Sequence, residues 1–390
     1  MKIMKDEIYL DNAATTPMSP GVIATITAEM IHDYGNASAT YQIGRTARRA
    51  IDQARQEIAS FIGAKEDEII FTSGGSESNN TAIFETAKSR QNIGKHIITT
   101  AIEHPSVLNP LKELENQGFE VTYLPVDQTG HISLADLKAA LRDDTILVST
   151  MAVNNEVGTI NPLAEIGKIV HEQSPAYYHV DAVQGLGNID LDVKSMQIDL
   201  LSTSAHKVNG PKFLGFLYEN SDLKLPSLVY GGEQEKKRRA GTENVPGIAG
   251  FGVAVKELAD NSRASEQAEF AHFQQIILQK LDDAGVAYSI NGGVGENVSH
   301  HVLNLWLHGL ETNMMLTNLD LDGFAVSGGS ACTAGSLTPS HVLTAMFGAD
   351  SPRIRESIRI SFGRYNTDEE VAAFAEDLVR IAKKHQAPTK

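Results

Sequence analysis

Between about Glu66 and Tyr218 the chain alternates short apolar, β-branched runs with helix-length amphipathic segments. The runs are EIIFTS, HIITTAI, EVTYLPV, TILVSTMAV, AYYHVD, DLLSTSA and FLGFLYE, and stretches such as SLADLKAALRD and PLAEIGKIVHEQ lie between them. Alternation of this kind builds a mainly parallel sheet with helices packed on its faces. After Gly250 the texture changes. One long helical stretch, from Gly247 to Gly285, leads into the strand-like HVLNLWL and SIRISFG and a closing helix, DEEVAAFAEDLVRIAKKHQ. The expected organisation is a large α/β domain over residues 15–260. A smaller α+β domain then comprises residues 261–390 together with residues 1–14, which fold back onto it.

Composition narrows the function. With 33 Lys and Arg against 49 Asp and Glu, the net charge of −16 opposes gripping nucleic acid through a basic field. No run approaches the ~20 apolar residues of a membrane span. The N-terminus MKIMKDEIYLDNAATTP has no apolar signal core, so a cytoplasmic protein is expected. A single cysteine, Cys332, excludes an intrachain disulfide and a Cys-rich metal cage, and no metal site is expected.

In open α/β sheets ligands gather at the carboxyl ends of strands, so motifs at those points come first. In FTSGGSESNN an apolar run stops at Gly74 and Gly75, and Ser76 opens a helix start whose free N–H groups suit an anion. A plain strand-to-helix turn would use the same residues. In HVDAVQ, Asp181 stands at the end of a buried strand and needs a cationic or hydrogen-bonded partner, or caps the next helix. In LLSTSAHKVNGPKFLG, small hydroxyl residues precede His206 and Lys207. Desolvation at such a strand end lowers a lysine's proton affinity, as an imine-forming amine requires; a surface lysine is the ordinary alternative.

The only thiol lies in AVSGGSACTAGSLTPSH, a Gly-, Ser- and Thr-rich setting that suits a loop-borne nucleophile better than a core position. Arg359, between Ile358 and Ile360 on a period-2 run, points away from both and offers a guanidinium for a carboxylate, unless it is a solvated edge residue. His104 follows the run HIITTAI, where a ring could stack on a planar ligand or move protons. The basic run Lys236-Lys237-Arg238-Arg239 is either a solvated face or a contact for an acidic partner. Jointly, a phosphate cradle, a strand-end aspartate, a strand-end lysine and a carboxylate-binding arginine match the needs of pyridoxal 5'-phosphate acting on an amino acid.

From YLDNAATTP to SIRISFGRYNT the sequence resembles the NifS/IscS-type cysteine desulfurases, in the class V branch of fold-type I pyridoxal-phosphate enzymes. TSGGSESNN, AIEHPSVL, VNNEVGTI, HVDAVQ, SAHKVNGPKFLG, RRAGTEN and SGGSACTAGS carry the likeness. The resemblance implies a seven-stranded large-domain sheet, Lys207 as the Schiff-base lysine, Asp181 on the pyridine nitrogen and Gln184 on the phenolic oxygen. It implies that His104 stacks on the ring, and that Gly75, Ser76, Ser204 and His206 hold the phosphate. Thr242 would join them from the other subunit of a homodimer. Asn155 would contact cofactor and substrate, Arg359 the substrate carboxylate, and Cys332 would carry the persulfide.

The implied reaction takes sulfur from L-cysteine, leaves alanine, and passes the sulfur to an iron–sulfur scaffold or a tRNA-thiolating enzyme. Two departures stand out: Glu235-Lys236-Lys237 where relatives more often show Glu, Arg and Gly, and an ending at KKHQAPTK without the longer tail that housekeeping members use on a scaffold. Competing readings are a selenocysteine lyase, an aminotransferase, a lyase releasing free sulfide, and a non-catalytic interaction platform on the same scaffold.

Overall fold

The computed structural model describes residues 7–293, 295, 297–328 and 339–386. The expected persulfide residue, Cys332, lies outside the described residues. Seven strands form the main sheet: β2 (Ile69–Thr72), β3 (His96–Thr100), β4 (Glu120–Leu124), β5 (Thr145–Met151), β6 (Tyr177–Asp181), β7 (Leu200–Ser202) and β8 (Gly215–Glu219). Their order across the sheet is β2-β8-β7-β6-β5-β3-β4. Strand β8 runs antiparallel to both neighbours and the remaining pairs are parallel. Every residue of β3 and β5 is buried, because helices cover both faces. That is why these runs show no alternation of apolar and polar residues along one face.

The helices are α1 (Pro20–His32), α2 (Gln42–Phe61), α3 (Gly75–Asn80), α4 (Thr86–Arg90), α5 (Pro105–Asn116), α6 (Leu134–Ala140), α7 (Leu163–Gln173), α8 (Val245–Asp260), α9 (Arg263–Ala284), α10 (Thr312–Leu321), α11 (His341–Phe347) and α12 (Asp368–His385). A π-helical turn, Thr81–Glu85, joins α3 to α4 in one continuous helical run. Helix α2 buries Ala47, Ile51, Ala54 and Ile58, a stripe at helical spacing, against α8. The two approach closely at Gly252, where a Cβ would lie 2.7 Å from the Cα of Ala54.

A second core forms around Phe273, Leu305, Ile360 and Phe374. It packs beside a three-stranded antiparallel sheet, β12-β10-β9, made of β9 (Tyr288–Asn291), β10 (Val302–Leu307) and β12 (Ser357–Ser361). Short strand β1 (Ile8–Tyr9) pairs in parallel with β11 (Phe324–Ala325), and Leu10 enters the same core. Helix α12 starts on a capping box between Thr367 and Glu370.

The single long helix expected from Gly247 to Gly285 is two helices. Asn261 and Ser262 leave helical geometry, and the Ser262 side chain accepts the Ser265 N–H to cap α9. The capping hydroxyl offers backbone amides a partner that an unbroken helix would not need.

Candidate active site

The carboxyl ends of β3, β5, β6 and β7 converge on one cleft. Asp181 closes β6 and is buried. Its Oδ2 accepts from Asn79 Nδ2 at 2.8 Å and its Oδ1 from the Val183 N–H at 3.0 Å. Both sequence readings therefore hold: one oxygen caps the following turn while the other is held by an amide from α3.

Lys207 ends a 3-10 turn, Ala205–Lys207, that follows β7. Its Nζ donates to the carbonyls of Ala13 and Ala14 at 2.6 and 2.7 Å. Burial first, then the nearby Arg359 charge, brings the amine down to about 8, with Asp11 and Asp181 opposing.

His104 caps α5: its Nδ1 accepts the Ser106 N–H at 3.1 Å and meets the Ser106 hydroxyl at 2.7 Å. The ring is open to solvent at the cleft, yet the surrounding protein still lowers its pKa by desolvation, with Lys207 and His341 assisting and Asp181 opposing. The surroundings thus favour the neutral form of the imidazole.

At the two-glycine corner before α3, Gly74 adopts φ +145°, a conformation that favours glycine. A Cβ at Gly75 would strike Val183 Cγ2 at 2.6 Å, and one at Gly74 would meet Ser204 Oγ at 3.6 Å. The corner is therefore packed against Ser204, with exposed Ser76 at the opening of the helical run. His206 places Nδ1 3.0 Å from Thr15 Oγ1, and burial lowers its pKa to about 4.

Arg359 is not a solvated edge residue. It is 4% exposed, and its Nη2 donates to Asp11 Oδ1 at 2.7 Å and Nη1 to the Asn155 carbonyl at 2.8 Å. Ile358 and Ile360 face the second core, as the period-2 pattern requires. Gln184 is buried, donating to the Ala13 carbonyl at 2.8 Å. Thr242 stands apart: it is exposed, and among the described residues no hydrogen bond joins it to this group. Of the basic run, Arg239 pairs with Glu77 beside the glycine corner and Lys237 with Glu233.

Asn79, Asp11, Ala13 and His301 complete the cleft and were not singled out in the sequence. Asn79 belongs to TSGGSESNN, so its motif was visible; the other three act through partners more than a hundred residues away, which local pattern does not reveal.

The sequence profile of the class-V aminotransferase family matches residues 8–374. The chain belongs to that family. Among class-V proteins, the one named IscS 1 in Bacillus subtilis (strain 168) is 52% identical over 97% of this chain and 99% of its own length. The cysteine desulfurase IscS of Methanosarcina thermophila is 45% identical over 97% of this chain and 92% of its own. Of solved structures, a NifS-like protein superposes with a TM-score of 0.90 at 33% identity, over 97% of this chain and all of that one. A structure of SspA in complex with cysteine gives 0.81 at 38% identity, over 92% of this chain and 99% of that one. The class-V chain thus sits in the NifS/IscS-type branch of fold-type I, and this family uses pyridoxal 5'-phosphate.

The residues present fit that cofactor. A buried carboxylate, an amine of lowered proton affinity and a two-glycine corner at a helix start beside Ser204 match a pyridinium, an aldehyde and a phosphate. The buried Oδ1 of Asn79 has no hydrogen-bond partner among the described residues.

Proposed function

We propose that the protein is a cysteine desulfurase, converting L-cysteine to L-alanine while a persulfide forms on Cys332. The observation that carries the reading is the Lys207 amine, lowered to about 8 and facing carbonyls rather than carboxylates, in one cleft with Asp181 and Arg359. The relatives' names and the cysteine-bound SspA structure support the choice of substrate.

Pyridoxal 5'-phosphate, when bound, supplies an aldehyde for an amine and a sink for electrons released at the substrate's α-carbon. Gly75, Ser76, Ser204 and His206 would hold its phosphate, with Thr242 reaching in from a second copy of the chain. Asp181, oriented by Asn79, would keep the ring nitrogen protonated, Gln184 would face the phenolic oxygen and His104 would stack on the ring. Lys207 would hold the cofactor's aldehyde, and its amine, with its lowered proton affinity, would be the base that takes the α-proton and later returns it.

Arg359 turns from Asp11 to the substrate carboxylate, and Asn155 flanks it. The Cys332 thiolate attacks the substrate sulfur: an S–S bond forms and the C–S bond breaks with its pair going to carbon. A proton delivered there, with His104 as carrier, and return of the α-proton from Lys207 to the α-carbon together give alanine. A thiolate is required because the thiol is a poor nucleophile.

The reading extends to a cytoplasmic homodimer with domains over 15–260 and over 1–14 plus 261–390. It delivers sulfur to an iron–sulfur scaffold or a tRNA-thiolating enzyme. Mass spectrometry after exposure to L-cysteine tests the core of it. One added sulfur on Cys332, with alanine in solution, is expected; alanine from a Cys332→Ala variant at the parent's rate would overturn it.

A further inference from the structure

We infer that His301 is a positioning residue that fixes which end of the Gln184 amide faces the cofactor side of the cleft, an inference that rests on the role proposed above for Gln184. His301 lies one residue ahead of β10 and is buried. Its Nε2 is 3.2 Å from Gln184 Oε1, and its Nδ1 is 2.7 Å from Ser299 Oγ. An amide oxygen only accepts, so Nε2 carries the proton; Nδ1 then accepts, and the Ser299 hydroxyl donates. Burial foremost, and then the charges of Arg359 and Lys207, pushes the ring down to about 3. It stays neutral, in this one tautomer, through the range in which the protein works.

With its oxygen occupied by His301, Gln184 turns its NH2 group outward. One N–H goes to the Ala13 carbonyl at 2.8 Å, the same oxygen that takes Lys207 Nζ at 2.6 Å. The second N–H is the donor left for an anionic oxygen beside the lysine. Reversing the amide would set its oxygen against the Ala13 oxygen and its NH2 against the His301 N–H, two like contacts at once. A histidine thus makes a two-faced side chain into a hydrogen-bond donor. A donor on the phenolic oxygen stabilises the anion and lowers the pKa of the neighbouring imine proton.

The test compares two amides at one position. In His301→Gln the side-chain nitrogen reaches where Nε2 stood; in His301→Asn it reaches only as far as Nδ1. Holoenzymes of the parent and both variants are titrated through the cofactor's visible absorbance band, and cofactor release on dialysis is followed. His301→Gln is expected to keep the parent's band pKa. His301→Asn is expected to raise it by ~0.5–1 unit, the worth of one hydrogen bond, and to release cofactor several-fold faster. Equal behaviour of the two variants, whether both like the parent or both shifted, overturns the inference. A parent protein with no visible band overturns instead the reading on which it rests. NMR of protein carrying 15N-histidine serves if a variant does not fold: one neutral Nε2–H ring that does not titrate is expected, and an Nδ1–H ring at this site refutes the assignment.

Discussion

Asn79 Nδ2 donates to Asp181 Oδ2 over 2.8 Å, linking the helix that opens the anion cradle to the carboxylate at the end of β6. The same amide nitrogen donates to Ser106 Oγ, also at 2.8 Å, so the aspartate is held from the α5 side as well. Asn79→Ala is expected to weaken cofactor binding about 5- to 20-fold, matching one charge-assisted hydrogen bond of about 1–2 kcal/mol. Fluorescence titration of cofactor-free protein measures it, and an unchanged affinity would remove Asn79 from the site.

Lys207 titrates near 8 rather than at its ordinary 10.5. The free amine therefore accumulates as pH rises through 8. Attachment of pyridoxal 5'-phosphate to cofactor-free protein should accelerate with pH and level off just above that value. Arg359→Gln removes a positive charge that lowers the lysine, so the plateau should move to higher pH. A parent profile still climbing at the ordinary lysine value would contradict this. Lys207→Ala should leave nothing for borohydride to trap.

Glu103 is fully buried and burial raises its carboxyl from 4.5 to about 8, against hydrogen bonds from Thr100 and the Met151 N–H to its Oε1. Its Oε2 has no partner among the described residues. The folded state thus binds a proton that the unfolded chain loses above about 4.5. Stability from this group is complete below that pH and drains away as pH climbs through 8. Glu103→Gln keeps the accepting oxygen and carries no charge, so denaturant melts across this window should show a flatter pH dependence. Parallel curves for parent and variant would mean that Glu103 does not titrate there.

Glu235, Lys236 and Lys237 all have positive φ, at 47°, 56° and 68°. Buried Glu235 is held by Arg55 at 2.7 and 3.0 Å and by the Phe71 N–H, which compensates its backbone. Among the described residues, the Lys237 side chain makes just an exposed pair with Glu233, worth little in water. Lys237→Gly should therefore stabilise the protein by about 0.5–1 kcal/mol, read as a higher denaturant midpoint at unchanged slope. A lower midpoint would show that the lysine contributes more than its strain costs.

The runs that became β2, β3 and β5 to β8 were legible because burial on both faces leaves little room for polar alternation, whereas edge strand β4 is only partly covered. Asp181 and Arg359 were legible as charged residues at strand positions where water is scarce, and Lys207 as a lysine in the turn just past such a strand. The break at Asn261-Ser262 was not, since nothing apolar changes there and a hydroxyl decides it by accepting one N–H. Nor were the left-handed backbones of Glu235 to Lys237, because residue type there argues against them and the Arg55 that holds Glu235 is far away in sequence. His301 was invisible for a related reason: its meaning lies in Gln184, at a separation of 117 residues.

Ser327 and Arg359 exchange backbone hydrogen bonds at 2.6 and 3.1 Å. From position 327 to position 332 is 332 − 327 = 5 residues, at most roughly 18 Å of extended chain at ~3.5 Å per residue. The proposed sulfur carrier is therefore leashed to the very strand proposed to grip the amino acid. Any acceptor for that proposed sulfur would have to present its nucleophile within that span of Ser327.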